Sequence, residues 1–171
     1  MHDTELRRCL ERVRGGDREA FSEIYRDLSG PVYTVIWRIV CHRELAEDLT
    51  QDLFVKLFCS PPEPSVKSPR AWIFRMARNL AIDALRTRHT SQSEELLDGI
   101  PAENETARSD LQMDVAQAMS RLSQTEREIV ALRIWGELGF AEIARTVGLS
   151  LSAVWRVWHR ALNRLREELG G

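Results

Sequence analysis

Glu47, Asp48, Gln51 and Asp52 place three carboxylates and an amide within six residues. Such a cluster can bind a cation or move protons. Neither chemistry has its other parts here: there is no adjacent histidine ligand, no glycine-rich phosphate loop and no nucleophile elbow. The cluster shares its segment with Leu45, Leu49, Leu53 and Leu57, an i, i+4 stripe that marks one face of a helix. A protein-docking surface or a plain solvated face fits these carboxylates better than a catalytic site. Cys9, Cys41 and Cys59 have no metal-ligand spacing, and an odd number argues against a disulfide framework. They are expected to be small buried apolar side chains. The sequence thus calls for no catalytic residue, no metal and no cofactor.

Two cationic segments carry the other candidate chemistry. From Lys67 to His89 the chain bears Lys67, Arg70, Arg75, Arg78, Arg86 and Arg88 against one acid, Asp83. On a helix beginning at Pro69, the residues Arg75, Asn79, Ile82 and Arg86 are expected to project away from the apolar face, with Trp72 and Phe74 close by. Arginines can track phosphates, asparagine can read a base edge, and an aromatic ring can stack on an unpaired base for roughly 1–3 kcal/mol. The set suits single-stranded DNA better than duplex, although on these residues alone a core tryptophan under a solvated basic face is the simpler account. The second segment is Phe140 to Val147, then Gly148-Leu-Ser150, then a long helix from Leu151. A short helix, a glycine turn and a helix with Arg156, His159, Arg160 and Asn163 on its outer face, Trp155 at the flank, has the geometry that enters a major groove. A helical hairpin with a basic face is the plainer alternative.

The elements that must hold these residues all read as helices. Apart from the stripe over about Arg43–Phe58, a helix over Pro69–Arg88 has Ile73, Met76, Ala77, Leu80 and Ala84 inward, with proline suited to its first turn. Ser60-Pro-Pro-Glu-Pro64 ends the helix before it. Asp17 to Cys41 gives one or two helices, with Ser29-Gly30-Pro31 as the break, and residues 1–16 extend the first. Leu111, Val115, Met119 and Leu122 mark a further face, and Ser123-Gln-Thr-Glu126 reads as a capping box. The last helix, Leu151–Leu169, buries Val154, Trp158, Ala161 and Leu165. With no strand alternation, the expected class is all-α: two small helical domains over 1–89 and 111–171, joined by an acidic linker over 90–110.

Bulk properties agree. The 171 residues are 43% apolar, enough for a packed core. Net charge is −2, so composition alone announces no nucleic-acid binder. The sign alternates along the chain, however: basic to His89, acidic from Glu94 to Asp114, basic again from Arg145, which suggests two cationic surfaces about an anionic link. No apolar run is long enough to span a bilayer and the start lacks a signal-peptide core, so no membrane insertion and a cytoplasmic location are expected.

Three stretches resemble the extracytoplasmic-function sigma factors of bacterial RNA polymerase. Ala46-Glu-Asp-Leu-Thr-Gln-Asp-Leu-Phe54 is similar to the family's core-polymerase-binding segment. Pro69-Arg-Ala-Trp-Ile-Phe-Arg-Met-Ala-Arg-Asn-Leu-Ala-Ile-Asp-Ala-Leu-Arg86 is similar to the part that reads and opens the minus-ten element. The run from Leu122 through Glu142-Ile-Ala144, Gly148-Leu-Ser150 and His159-Arg-Ala161 resembles the domain that binds the minus-thirty-five element.

The resemblance implies a sigma two-type and a sigma four-type domain in a specificity subunit that is not itself an enzyme. It implies that Glu47, Asp48, Gln51 and Asp52 meet the clamp helices of the largest polymerase subunit. It implies that Lys67, Trp72, Arg75, Asn79 and Arg86 face the minus-ten strand, the loop Ser60–Ser68 helping to form a pocket for a flipped base. Ser152, Trp155, Arg156, His159 and Arg160 would grip upstream duplex, the second domain would rest on the flap of the second-largest subunit, and an anti-sigma factor is an expected partner. The family's usual Gly-Thr-Val start of the recognition helix is replaced here by Ser152-Ala-Val-Trp-Arg-Val157. Trp155 stands where a basic residue is common, so the indole can meet thymine methyls or a protein partner. Two other readings remain, an adaptor that binds an anti-sigma protein without initiating transcription and a helix-turn-helix repressor; the latter leaves the first domain unexplained.

Overall fold

The computed structural model describes residues 1–91 and 110–170. All regular structure among them is helical: α1 (Asp3–Arg14), α2 (Arg18–Val40), α3 (Arg43–Cys59), α4 (Pro69–Ser91), α5 (Asp110–Ser120), α6 (Gln124–Ile134), α7 (Phe140–Val147) and α8 (Leu151–Gly170). The class and the positions of α3, α4, α7 and α8 are those expected. Most of the acidic linker lies outside the described residues.

Local chemistry sets the helix ends. Asp17 opens α2 by accepting from the Glu19 and Ala20 N–H groups. Ser123 opens α6 in the expected capping box, its hydroxyl accepting from the Glu126 N–H while the Glu126 carboxylate accepts from the Ser123 N–H. Gly148 closes α7 at φ +75°, a left-handed conformation that side chains resist. At the end of α6, a Cβ on Gly136 would lie 2.6 Å from the Leu132 carbonyl oxygen, so only glycine fits that turn.

Two expectations fail near the N-terminus. The Ser29-Gly30-Pro31 break is absent, and α2 runs through Pro31. An interior proline costs about 3 kcal/mol. Leu28, Val32, Val35, Ile36 and Ile39 are all within 1% of complete burial on the same helix, each worth roughly 1.5–3 kcal/mol. Thr34 donates its hydroxyl proton to the Gly30 carbonyl at 2.9 Å, satisfying a group beside the proline. Residues 1–16 do not extend the next helix either. They form α1, separated by Gly15-Gly16 and anchored by the buried Leu6, Cys9, Leu10 and Val13.

α1 to α4 pack around α2, and α5 to α8 form a second group. One contiguous core joins the two groups, with Leu6, Leu28, Leu53 and Phe74 in the same cluster as Ile129, Leu132, Ile143 and Val154. A smaller cluster of Met119, Leu122, Val130 and Ala161 holds α5, α6 and α8 together. At the seam between groups, α6 lies on α2 and α7 on α4. Arg38, 8% exposed as a residue, sets its guanidinium 4.3 Å from the Trp37 ring centroid and 5.0 Å from that of Trp135. Arg78 Nε on α4 donates to Glu128 Oε1 on α6 at 2.6 Å. Arg70 donates to the Gly136 carbonyl at 3.0 Å and to Glu137 at 3.1 Å.

Candidate nucleic-acid and protein interfaces

On α3 the leucine stripe turns inward, Leu53 and Leu57 being fully buried. That fixes the opposite edge outward, and Glu47, Asp48, Gln51 and Asp52 are all exposed. Among the described residues none of their carboxylates has an ion-pair partner within 4 Å. Beside Gln51 lies an apolar groove of about 650 Å³ between α2 and α3, lined by Phe21, Tyr25, Phe54, Val55 and Phe58. An anionic edge bordering an apolar groove can hold a partner helix by charge and by burial together.

The loop before α4 is pinned from a distance that no local pattern reveals. Arg7 on α1 donates to the carbonyls of Pro64 at 3.1 Å, Val66 at 2.9 Å and Lys67 at 2.8 Å. Arg14 donates to the Pro62 carbonyl. Ser68 caps α4 by accepting from the Ala71 N–H, and Asp3 accepts from the Arg70 N–H. These contacts bring Lys67, Trp72 and Arg75 into one cleft of about 620 Å³, whose other wall is Glu142, Arg145 and Thr146 of α7. Asn79 and Arg86 are exposed farther along α4. Arg86 lies 4.0 Å from Asp83, a surface pairing of little energetic weight.

Ile82, expected on this face, and Phe74, expected beside it, do not belong to it. Phe74 is fully buried and Ile82 is 4% exposed. α4 packs against α1, α2, α3 and α7, so its buried arc is wider than a single-sided pattern suggests. Arg70 instead lies 4.9 Å from the Phe74 ring centroid.

In the second group α7 and α8 meet at the Gly148 turn. Val154 and Ala161 are buried while Ser152, Trp155, Arg156, His159 and Arg160 are exposed. Ser150 caps α8 by accepting from the Ala153 N–H at 3.2 Å. Arg160 is not simply a free cation: its Nε lies 3.6 Å from Glu126 Oε2, and Arg164 Nη1 donates to Glu126 Oε1 at 3.0 Å. Burial raises the pKa of Glu126, but the Ser123 hydrogen bonds and the two arginines outweigh it and hold the carboxyl below its ordinary range. The capping motif was visible in sequence; its arginine partners, 34 and 38 residues away, were not.

No group of three or more histidine, cysteine or acidic residues among the described residues could hold a metal ion. Cys9 is buried, and burial with the nearby Glu23 carboxylate pushes its thiol pKa up. Burial also raises Cys41, against the lowering effect of Arg127 and Arg38. Both are poor thiolates. Cys59, expected to be buried, is exposed, because it falls on the last turn of α3 beyond the leucine stripe. No described helix is long and apolar enough to cross a membrane.

Comparison with known proteins finds two family models on the chain, one over each helical group. The family model for sigma-70 region 2 covers residues 24–90, and that for sigma-70 region 4 covers 118–167. The chain is 28% identical to the extracytoplasmic-function RNA polymerase sigma factor SigK of Mycobacterium tuberculosis, over 95% of this chain and 92% of the relative. It is 23% identical to SigW of Bacillus subtilis, over 96% of both. Its fold is similar to that of the sigma factor RpoE from Bartonella quintana, solved with the anti-sigma factor NepR, at a TM-score of 0.70 over 88% of this chain and 96% of that one. It is also similar to CnrH, solved with the cytosolic domain of CnrY, at 0.68 over 97% of each; both structural likenesses are at 23% identity and speak to fold.

An all-helical chain with a region 2 and a region 4 is a sigma factor, the subunit that directs RNA polymerase to promoters. The chain belongs to the extracytoplasmic-function family of sigma factors.

Proposed function

We propose that the faces divide the work of initiation among named residues. Glu47, Asp48, Gln51 and Asp52 dock on the clamp helices of the largest polymerase subunit. Lys67, Trp72, Arg75, Asn79 and Arg86 engage the non-template strand of the minus-ten element. Ser152, Trp155, Arg156, His159 and Arg160 contact the minus-thirty-five duplex, while the same domain rests on the flap of the second-largest subunit. Residues 1–89 thus act as the melting and docking unit, 90–110 as the link, and 111–171 as the upstream reader. The chain works in the cytoplasm, supplies specificity and leaves catalysis to the polymerase. An anti-sigma factor is its expected inhibitor, in keeping with RpoE of Bartonella quintana, which is solved with the anti-sigma factor NepR.

The observation that carries this reading is the exposed acidic edge of α3, without an ion-pair partner among the described residues and opposite the buried Leu53 and Leu57, with the Lys67–Trp72–Arg75 cleft beginning at the next helix. Melting follows from capture: extruding a base costs a few kcal/mol, and stacking on Trp72 with phosphate contacts from the arginines returns part of it.

The test is run-off transcription on fragmented genomic DNA from the organism that carries the chain, using sigma-free core polymerase with and without the protein. Discrete new starts that share upstream sequence are expected. Asp48→Arg with Asp52→Arg should weaken polymerase binding by charge reversal, and Asn79→Ala should reduce promoter opening more than polymerase binding. Active core enzyme with folded protein and no new starts would overturn the reading in favour of an anti-sigma-binding adaptor.

A further inference from the structure

The leading turns of α8 carry a surface whose chemistry differs from the rest of the helix. Leu151 is 55% exposed, Trp155 53% and the preceding Leu149 38%. Phe140, Ser150, Leu151, Ser152 and Trp155 line a shallow hollow of about 760 Å³. The indole is held in place: its centroid is 5.7 Å from that of Phe140 at 76°, and 4.1 Å from the His159 ring at 66°. The serine hydroxyls in the hollow are engaged locally, Ser150 accepting from the Ala153 N–H and lying 3.4 Å from the Ser152 hydroxyl. Of the arginines along α8, Arg160 and Arg164 are drawn back to Glu126.

We infer that the upstream element is read through thymine C5-methyl groups, with Trp155 and Leu151 as the specificity-determining residues. This rests on the proposal that α8 enters the major groove. The N-terminal residues of a recognition helix are those that meet base edges, and here those positions offer apolar surface. On a major-groove base edge the thymine methyl is the apolar group. Bidentate reading of guanine needs an arginine aimed at the groove; Arg160 and Arg164 are drawn to a buried carboxylate, which leaves Arg156, exposed beside Trp155, to supply phosphate contact while the apolar pair meets the bases. The hollow suits DNA better than a protein partner because the helix that carries it is basic: Leu151 to Arg164 contains Arg156, Arg160 and Arg164 and no acidic residue. A polyanion with methyl groups in its groove complements both features. Contacts with the Phe140 and His159 rings give the indole a defined seating, so that it presents one apolar face to the groove.

The experiment uses holoenzyme, core polymerase saturated with the full chain, on a promoter mapped by its transcription start. Deoxyuridine replaces thymidine at upstream positions, which removes the C5-methyl and leaves pairing intact. Affinity is read by competition and protection by footprinting. Each methyl seated on the hollow should be worth roughly fourfold, the factor equivalent to one buried methylene, and uracil placed elsewhere in the spacer should change nothing. Trp155→Ala should weaken binding to thymine-containing DNA and abolish the thymine-to-uracil ratio, while Trp155→Phe should keep part of it. Equal affinity for both DNAs with the upstream footprint intact overturns the inference and leaves the major-groove proposal standing, as does an upstream element without thymine. Loss of the upstream footprint altogether, with start-site selection unchanged, overturns the major-groove proposal itself. If Trp155→Ala spares DNA binding and discrimination, the hollow is a protein-docking surface and the inference fails.

Discussion

Glu126 shows how one side chain can tie three elements together. It closes the capping box of α6, accepts from Arg164 of α8, and lies near Arg160, with its side chain 2% exposed. Because these partners hold its pKa below the ordinary carboxylate value, the carboxylate stabilises the fold at any pH above the unfolded value, near 4.3. That contribution is lost as pH falls through the folded value. Glu126→Gln keeps the shape and an acceptor for the Ser123 N–H but removes the charge. It should cost about 1.5–3 kcal/mol at pH 7, the worth of a hydrogen bond to a charged group, and the difference from the parent should shrink below pH 4. Urea melts at pH 7 and pH 3.5 check both parts; an equal deficit at the two values would show that the charge is irrelevant. Motif and burial pattern reveal the cap in the sequence, whereas the choice of Arg160 and Arg164 as its partners depends on how α8 crosses α6.

At the scale of elements, α3, α7 and α8 were legible because each buries one stripe and exposes the rest. α2 and α4 were less so. Pro31 and Gly30 argue locally for a break, and the apolar residues flanking them overrule it. The pattern puts Ile82 of α4 on the exposed face and Phe74 beside it, and both are buried because helices cover α4 on several sides. The exposed candidates on that helix, Arg75, Asn79 and Arg86, lie where the pattern placed them. α1 was hardest to anticipate as a functional support, since its role is exerted by Arg7 across 57 to 60 residues. Arg7→Ala removes three donor contacts to the Pro64–Lys67 backbone. Limited proteolysis should then cut faster within residues 60–68, with a stability loss of about 1–3 kcal/mol, while cleavage elsewhere stays unchanged. An unaltered digestion pattern would mean that the prolines alone hold the loop.

The whole molecule is closed on itself. The shared core and the Arg78–Glu128 and Arg70–Gly136 contacts hold the region 4 helices on the region 2 helices. Neither composition nor helical periodicity reports this, because Glu128 reads as an ordinary residue of α6 and Trp135 as the residue that ends it. A compact chain of this size has a radius of gyration of about 15 Å and a width of about 40 Å. Promoter elements centred ten and thirty-five positions upstream lie about 85 Å apart along duplex at about 3.4 Å per step. Both cannot be contacted from the closed form. Arg78→Glu sets two carboxylates face to face at the seam, and X-ray scattering should show a larger radius of gyration than for the parent. Restoring the pair in reverse, Arg78→Glu with Glu128→Arg, should close the molecule again. If the single variant scatters like the parent, the ion pair has no hold on the closed form.

The seam also sets a tariff on every partner that needs the open form. If about one molecule in a hundred is open at rest, the apparent dissociation constant of polymerase is about a hundredfold above its intrinsic value. A partner that recognises the closed surface meets no such handicap. Competition between the two is then weighted before either touches the protein, by side chains such as Arg38 and Trp135 that need contact neither of them.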